Sequence, residues 1–295
     1  MPFRYISADL CSLELYFSYR TKTSNTIVLS YGIHSPSALV YDSINNVLLV
    51  GDKNTDRILL IDCENDSVIG LLNVAPGTNK LFLEYKHNKI YGIHVAGYVS
   101  IIDATQYNVL DIIEVEGKPV DGAIGEGKLF VVNNALNKLH VINTYTGEMD
   151  TTIETGLLPV GIVYDSIVHK VFVTNQLDDN ISVIDAVTYK KSTIFVGDAP
   201  GAIVFNPVSK MLYCANELDN TVTIIDDSTL AKVATIVVGS SPKNLVVSEK
   251  FNKVYCANYN SNSVSVIASD VNEVIATIGT TYPVSYTHLT LPTKA

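Results

Sequence analysis

The residues best equipped for chemistry in this chain are short clusters rich in Asp and Asn, recurring at a fixed spacing. They read DKNTD at 52–56, NQLDDN at 175–180, NELDN at 216–220 and NYNSN at 258–262. Carboxylates and amides at this density can ligate a hard cation, hydrogen-bond a sugar or meet a peptide. They are also what tight turns select, because Asp and Asn side chains bond their own backbone two residues on. The run Asp178-Asp179-Asn180 and the pair Asp52/Asp56 lack the alternate-residue spacing and closing Glu of a calcium loop, so no metal site is expected. His34 and His94 fall on the same presumed ligand face, in successive units, and a pair of imidazoles can serve a metal or act as a general base. His87, His140 and His169 are scattered, and His288 lies near the end of the chain. Lys118, Asp198 and Lys243 stand within two residues of prolines that open the third, fifth and sixth repeats. With the two histidines they make five candidate ligand contacts: His34, His94, Lys118, Asp198 and Lys243. No nucleophile elbow, phosphate loop, dinucleotide fingerprint or paired catalytic carboxylate occurs, so no catalytic residue or cofactor is assigned.

The elements that must hold these residues are legible in the stretch from Gly197 to Val238. It contains four runs rich in Val, Ile, Leu, Tyr and Thr: Ala202–Phe205, Met211–Ala215, Thr221–Ile225 and Val233–Val238. Each is bounded by Gly, Pro, Asn or Asp, which marks a short strand between turns. The unit then restarts, and YCAN returns intact at 213–216 and 255–258. Prolines opening the units stand at 119, 159, 200, 242 and 283, at intervals of 40, 41, 42 and 41 residues. A self-similar unit of this length with four strands is the mark of a β-propeller blade. The expected fold is therefore all-β: a propeller of four-stranded antiparallel blades, six complete repeats plus a partial seventh.

Blades are expected over about 32–74, 75–115, 116–155, 156–196, 197–238 and 239–279, within a propeller spanning 26–283. Residues 1–25 fit the repeat poorly and are expected to be irregular, although 11–19 has the composition of a strand. Residues 26–31 read as the last strand of a blade. Residues 284–295 break the repeat inside a strand, and VSYTHLTLPT at 284–293 is similar to the translation of a transposase-type sequencing adapter. This tail is expected to be non-native and the chain a fragment.

Two recurrent polar places frame each blade. An Asp or Asn closes the third strand at Asp62, Asp103, Asn143, Asp185 and Asp226, where it can accept backbone N–H groups in an Asx turn; Ala268 departs from this. An Asn follows the second strand at Asn133, Asn175, Asn216 and Asn258, with Asp52 and His94 in its place in the first two units. These residues read as turn pins. The third strands (ILLID, SIIDA, HVINT, SVIDA, TIIDD) are apolar on both sides, as expected of sheets covered on both faces. Tyr85, Tyr91, Tyr164, Tyr213 and Tyr255 read as core.

A net charge of −10 argues against nucleic acid as a partner. No segment has the length and apolarity of a membrane span. The four cysteines show no CxxC spacing. Cys214 and Cys256 hold the same place in successive units, roughly 10 Å apart at sheet spacing. That exceeds disulfide reach, so both read as small buried hydrophobes.

The segments FVTN at 172–175 and YCAN at 213–216 and 255–258 resemble the Tyr-Val-Thr-Asn motif of the YVTN β-propeller repeat family. The Ile-Asp signatures that follow them do so too. The resemblance covers about 32–279 and is strongest from 156 onward. It implies a seven-bladed relative closed by a blade split between the termini, and a cell-surface or periplasmic setting. The expected function is a non-catalytic, monomeric scaffold binding a protein or glycan partner. The alternative is an enzyme of lactonase-like or redox-cofactor type on the same fold.

Overall fold

The computed structural model describes residues 32–280 in full and, nearer the N-terminus, the backbone of three strands at Tyr5–Ala8, Glu14–Ser18 and Ser24–Val28. The described residues contain six four-stranded antiparallel sheets, each with its strands in sequence order. The chain is a β-propeller built of these blades. It divides into two compact units, one reaching Glu116 and one starting at Gly117.

The first unit holds blades 1 and 2. Blade 1 has strands at Pro36–Asp42, Val47–Asp52, Arg57–Asp62 and Ser67–Asn73. Blade 2 has Thr78–Glu84, Lys89–His94, Tyr98–Asp103 and Val109–Glu114. The three N-terminal strands belong to this unit and pair as their own antiparallel sheet, in a region whose sequence shows no repeat. The strand at Glu14–Ser18 lies inside the apolar run 11–19. The second unit holds blades 3 to 6, whose strands begin at Pro119, Pro159, Pro200 and Pro242 and whose last strand is Glu273–Gly279. The tail, 281–295, lies outside the described residues.

Every first strand opens on Pro, or on Thr78 in blade 2, and carries a register shift within its first four residues. The preceding residue is held at positive φ in blades 2, 4, 5 and 6, at Gly77, Leu158, Ala199 and Ser241. Proline fixes φ at the one strand position whose N–H is not needed by the ladder. In blade 3 the first hairpin is a two-residue turn, Glu126-Gly127, with both residues at positive φ (52° and 67°). That is the backbone of a type I′ turn, which matches the strand twist and tolerates Gly best.

Second and third strands are buried nearly end to end, as in Lys170–Asn175 and Asn180–Asp185. Fourth strands are largely exposed. Successive blades pack through shared apolar clusters. One joins blades 1 and 2 through Val40, Leu49, Leu60, Ile90 and Ile102. Others join blades 3 and 4 through Phe130, Val141 and Val173, and blades 5 and 6 through Tyr213, Ile224 and Val254. At about 1.5–3 kcal/mol for each fully buried aliphatic or aromatic side chain, these seams are the principal favourable contribution to the fold.

Among the tyrosines read as core, Tyr91 and Tyr213 are fully buried, and Tyr164 and Tyr255 are half-buried. Tyr85 corrects the expectation: it lies one residue past the strand Thr78–Glu84, 48% exposed. Its hydroxyl meets Ser43 Oγ at 3.0 Å. Cys63, Cys214 and Cys256 are free thiols, all buried. Burial pushes the Cys214 thiol up strongly and the Cys256 thiol up to about 12.

Candidate functional site

The Asp- and Asn-rich hairpins join the second and third strands of each blade, at the same end as the loops that lead into the first strands. In the second unit each hairpin is tied to the lead-in loop of its own blade. Gln176 and Leu177 donate their N–H groups to the carbonyls of Leu158 and Leu157 at 3.0 and 3.3 Å, and Asp178 Oδ2 accepts from Leu157 N at 2.7 Å. Blade 5 repeats this with Glu217, Leu218 and Asp219, the last accepting from Asp198 N at 2.8 Å. In blade 6 Ser261 Oγ accepts from Ser240 N at 2.9 Å.

A second tie runs to the next blade. Asn137 Oδ1 accepts from Leu158 N, Asp179 Oδ1 from Ala199 N and Asn220 Oδ1 from Ser241 N, at 2.8–2.9 Å. Asp178, Asp179 and Asp219 therefore serve the backbone, satisfying donors that the bulged strand starts leave open.

Beneath these hairpins lies a buried polar layer. Asp52, His94, Asn133, Asn175, Asn216 and Asn258 are each the last residue of a second strand and are fully buried. Asn175 accepts from Gly156 N and donates Nδ2 to Asn180 Oδ1 and Ser182 Oγ. Asn216 donates to Thr221 and Thr223, and Asn258 to Ser263 and Ser265. Asn133 accepts from Lys118 N at 3.0 Å and donates to His140 Nε2 at 3.1 Å. Burial alone would raise the Asp52 carboxyl. Four backbone N–H groups, of Ser35, Asn54, His34 and Thr55, outweigh it and hold Asp52 below its usual range.

The five candidate contacts therefore part company. His94 does not reach the loop surface: its ring is buried between Ser100 Oγ at 2.8 Å and Thr78 Oγ1 at 3.2 Å. Burial lowers its pKa to about 4, so it is neutral at physiological pH. His34 is exposed and donates its backbone N–H to Asp52. Lys118 and Asp198 are exposed on lead-in loops. Lys243 pairs with Glu217, which also accepts from Ser241 Oγ at 3.2 Å. Beside the polar residues of these loops, large apolar side chains are also exposed at this end of blades 4 to 6: Leu157, Leu177, Leu218 and Tyr259 are 41–73% exposed.

At the far end of the second strands the closing residues of the third strands cap turns. Asp62, Asp103, Asp185 and Asp226 each accept two backbone N–H groups through Oδ1, as does Asn143. The Thr229 N–H, with the Ser228 and Thr229 hydroxyls, pushes the Asp226 carboxyl down to about 2.

At that same end the structure assembles a titratable cluster that no motif announces. Glu126 Oε1 accepts from the Tyr164 hydroxyl at 2.8 Å and lies 2.7 Å from His169 Nδ1; Tyr164 and His169 are 3.2 Å apart. The Tyr164 hydroxyl and then His169 hold the Glu126 carboxyl below its usual range, while burial and Glu126 push the Tyr164 phenol up. The signal was spacing: Glu126 and His169 lie 43 residues apart, about one repeat, which sets them on facing edges of consecutive blades. Among the described residues no group of three or more His, Cys, Asp or Glu side chains is placed to hold a metal ion.

Four-stranded blades, bulged lead-ins and a repeated buried Asn define a β-propeller protein. A family model described as a YNCE-like beta-propeller matches residues 161–294. The chain is also similar to a structure of Kuenenia stuttgartiensis hydrazine synthase, at 17% identity and a TM-score of 0.68, covering 86% of this chain and 89% of that one. A chain from the crystal structure of a mitotic checkpoint complex matches at 15% identity and a TM-score of 0.72, covering 86% and 81%. At these identities the likeness is one of fold. No curated protein matches the chain, and no helix among the described residues is long and apolar enough to cross a membrane.

Proposed function

We propose that this propeller is a non-catalytic scaffold whose hairpin end binds a protein partner, with a glycan as the other ligand class such loops serve. One observation carries the reading. Asn137, Asp178, Asp179, Asp219 and Asn220 of the hairpins are spent on holding backbone, which leaves a pre-organised platform with Leu157, Leu177, Leu218 and Tyr259 exposed on its loops. Pre-organised loops lose little entropy on binding, and exposed apolar tips with an aromatic are the composition of an interface rather than of a hydrolytic site. A setting at the cell envelope rests on the family resemblance alone.

An enzyme on the same fold is the second reading, and Glu126, Tyr164 and His169 are the cluster it would use. The test compares partner capture by the unaltered protein and by a Leu177→Asp/Leu218→Asp variant with matched unfolding midpoints. Loss of a defined partner in the variant supports the scaffold. Hydrolytic or redox turnover that is abolished by Glu126→Ala, or a stoichiometric coloured cofactor in the purified protein, refutes it.

A further inference from the structure

The seam between blades 4 and 5 buries two carboxylates, each with one oxygen that no donor reaches. Asp165 closes the first strand of blade 4 and is fully buried. Its Oδ1 accepts from Ile167 N and Val168 N, at 2.8 and 3.3 Å, while Oδ2 is buried without a partner. Asp227 follows the third strand of blade 5, is 1% exposed, and its Oδ2 is likewise buried without a partner. Its N–H donates to the carbonyl of Lys210 at 3.2 Å.

The next seam shows what these places hold elsewhere. Asn206 closes the first strand of blade 5, and Ser269 follows the third strand of blade 6. Ser269 N donates to Asn252 O at 3.1 Å, as Asp227 does to Lys210, and Asn252 and Lys210 both sit at positive φ. Asn206 Nδ2 donates to Ser269 Oγ at 3.0 Å and to Asn252 Oδ1 at 2.9 Å. One seam uses Asn, Asn and Ser; the other has Asp, Lys and Asp. The amide hydrogens that bridge the first are missing from the second, and one added proton restores a bridge.

We propose that Asp227 keeps a proton at neutral pH and donates it across this seam to the partnerless oxygen of Asp165, making the seam a buried proton-binding site. Two carboxylates held together in a low-dielectric setting cannot both ionise cheaply. Burial, then the Asp165 charge, then Asp226 raise Asp227 above its ordinary value; Lys210 and the Ser228 N–H work the other way. Asp226 cannot supply the proton, because its own carboxylate is held by Ser228 and Thr229. Two oxygens also fall far short of the six to eight a calcium ion takes.

The sign follows. A carboxyl raised in the folded state costs nothing below its unfolded pKa, and stability is lost as pH rises through the folded value. Thermal unfolding of the full chain is measured from about pH 5 to about pH 8, with Asp165→Asn and Asp227→Ser recreating the neutral seam. The midpoint of the unaltered protein should fall relative to both variants as pH rises, by about 2–4 °C or more across the range. Infrared difference spectra at neutral pH should show a protonated carboxyl that either substitution removes. Parallel pH profiles for all three proteins with no such band would overturn the proposal. So would stabilisation of the unaltered protein alone by calcium or magnesium at about pH 8, since that would put a metal ion where the proton is claimed.

Discussion

Tyr107 of blade 2 reaches into blade 1 and donates its hydroxyl to Asp42 Oδ2 at 2.8 Å. Asp42 is 1% exposed, and its other donors are Ile44 N, Asn45 N and Asn45 Nδ2, all in its own turn. The tyrosine is thus the donor from outside that turn, and it binds the two blades where their apolar cluster ends. Tyr107→Phe leaves a buried carboxylate oxygen one donor short. It should cost about 1–3 kcal/mol in urea unfolding, with the slope unchanged. Burial first, then the Asp42 contact, pushes the phenol well above its usual value. Stability from the neutral phenol is therefore complete below about pH 10 and is lost above it, a loss the Phe variant lacks.

His94 predicts acid sensitivity of the opposite sign. Its folded pKa of about 4 lies below the unfolded value of 6.5, so the fold favours the neutral ring. Stability is complete above the unfolded value and is lost as pH falls toward the folded one. The loss is on the order of 2–3 kcal/mol. His94→Asn places the amide used by blades 3 to 6 and should remove most of this acid-side slope, read as unfolding midpoint against pH.

Asn175 tests the polar layer itself. Asn175→Ala strands Gly156 N and the Ser182 and Asn180 side chains in a fully buried site. The expected cost is about 2–3 kcal/mol by chemical denaturation. Asn175→Asp keeps the acceptor but loses both donated hydrogens and should be as damaging at neutral pH.

Gly161 tests the closeness of blades 4 and 5. Its N–H donates to Thr174 Oγ1, which in turn donates to Gly201 O at 2.7 Å. A Cβ at 161 would run into the Gly201 carbonyl and stand 2.9 Å from Thr174 Oγ1. Gly161→Ala should destabilise by about 1–3 kcal/mol, whereas Gly201→Ala, whose Cβ meets nothing nearer than 4.0 Å, should be tolerated.

The blades were legible because each strand carries its own apolar run and each turn its own Gly, Pro or Asx. Both signals are local, so a period of about 41 residues survives translation into structure. The loop end was half legible. Asn175 and Asn216 announce a polar place at the end of the second strand, and the match of His94 to that place is visible in the repeat. Its depth is not, because a histidine in a turn and one sealed under a turn have the same neighbours in sequence. Glu126, Tyr164 and His169 meet between blades, and the proposed Asp165–Asp227 pair would do the same. They become readable only when residues one to one and a half repeats apart are taken as neighbours.

The thiols in the core give the fold an internal clock. Cys214 and Cys256 lie at the same depth of adjacent sheets and Cys63 in the other unit, all three buried, and burial keeps the first two protonated at neutral pH. An alkylating reagent can reach them only when the surrounding sheet opens. Mapping adducts residue by residue over time would rank how often blades 1, 5 and 6 breathe, without any dye or engineered label.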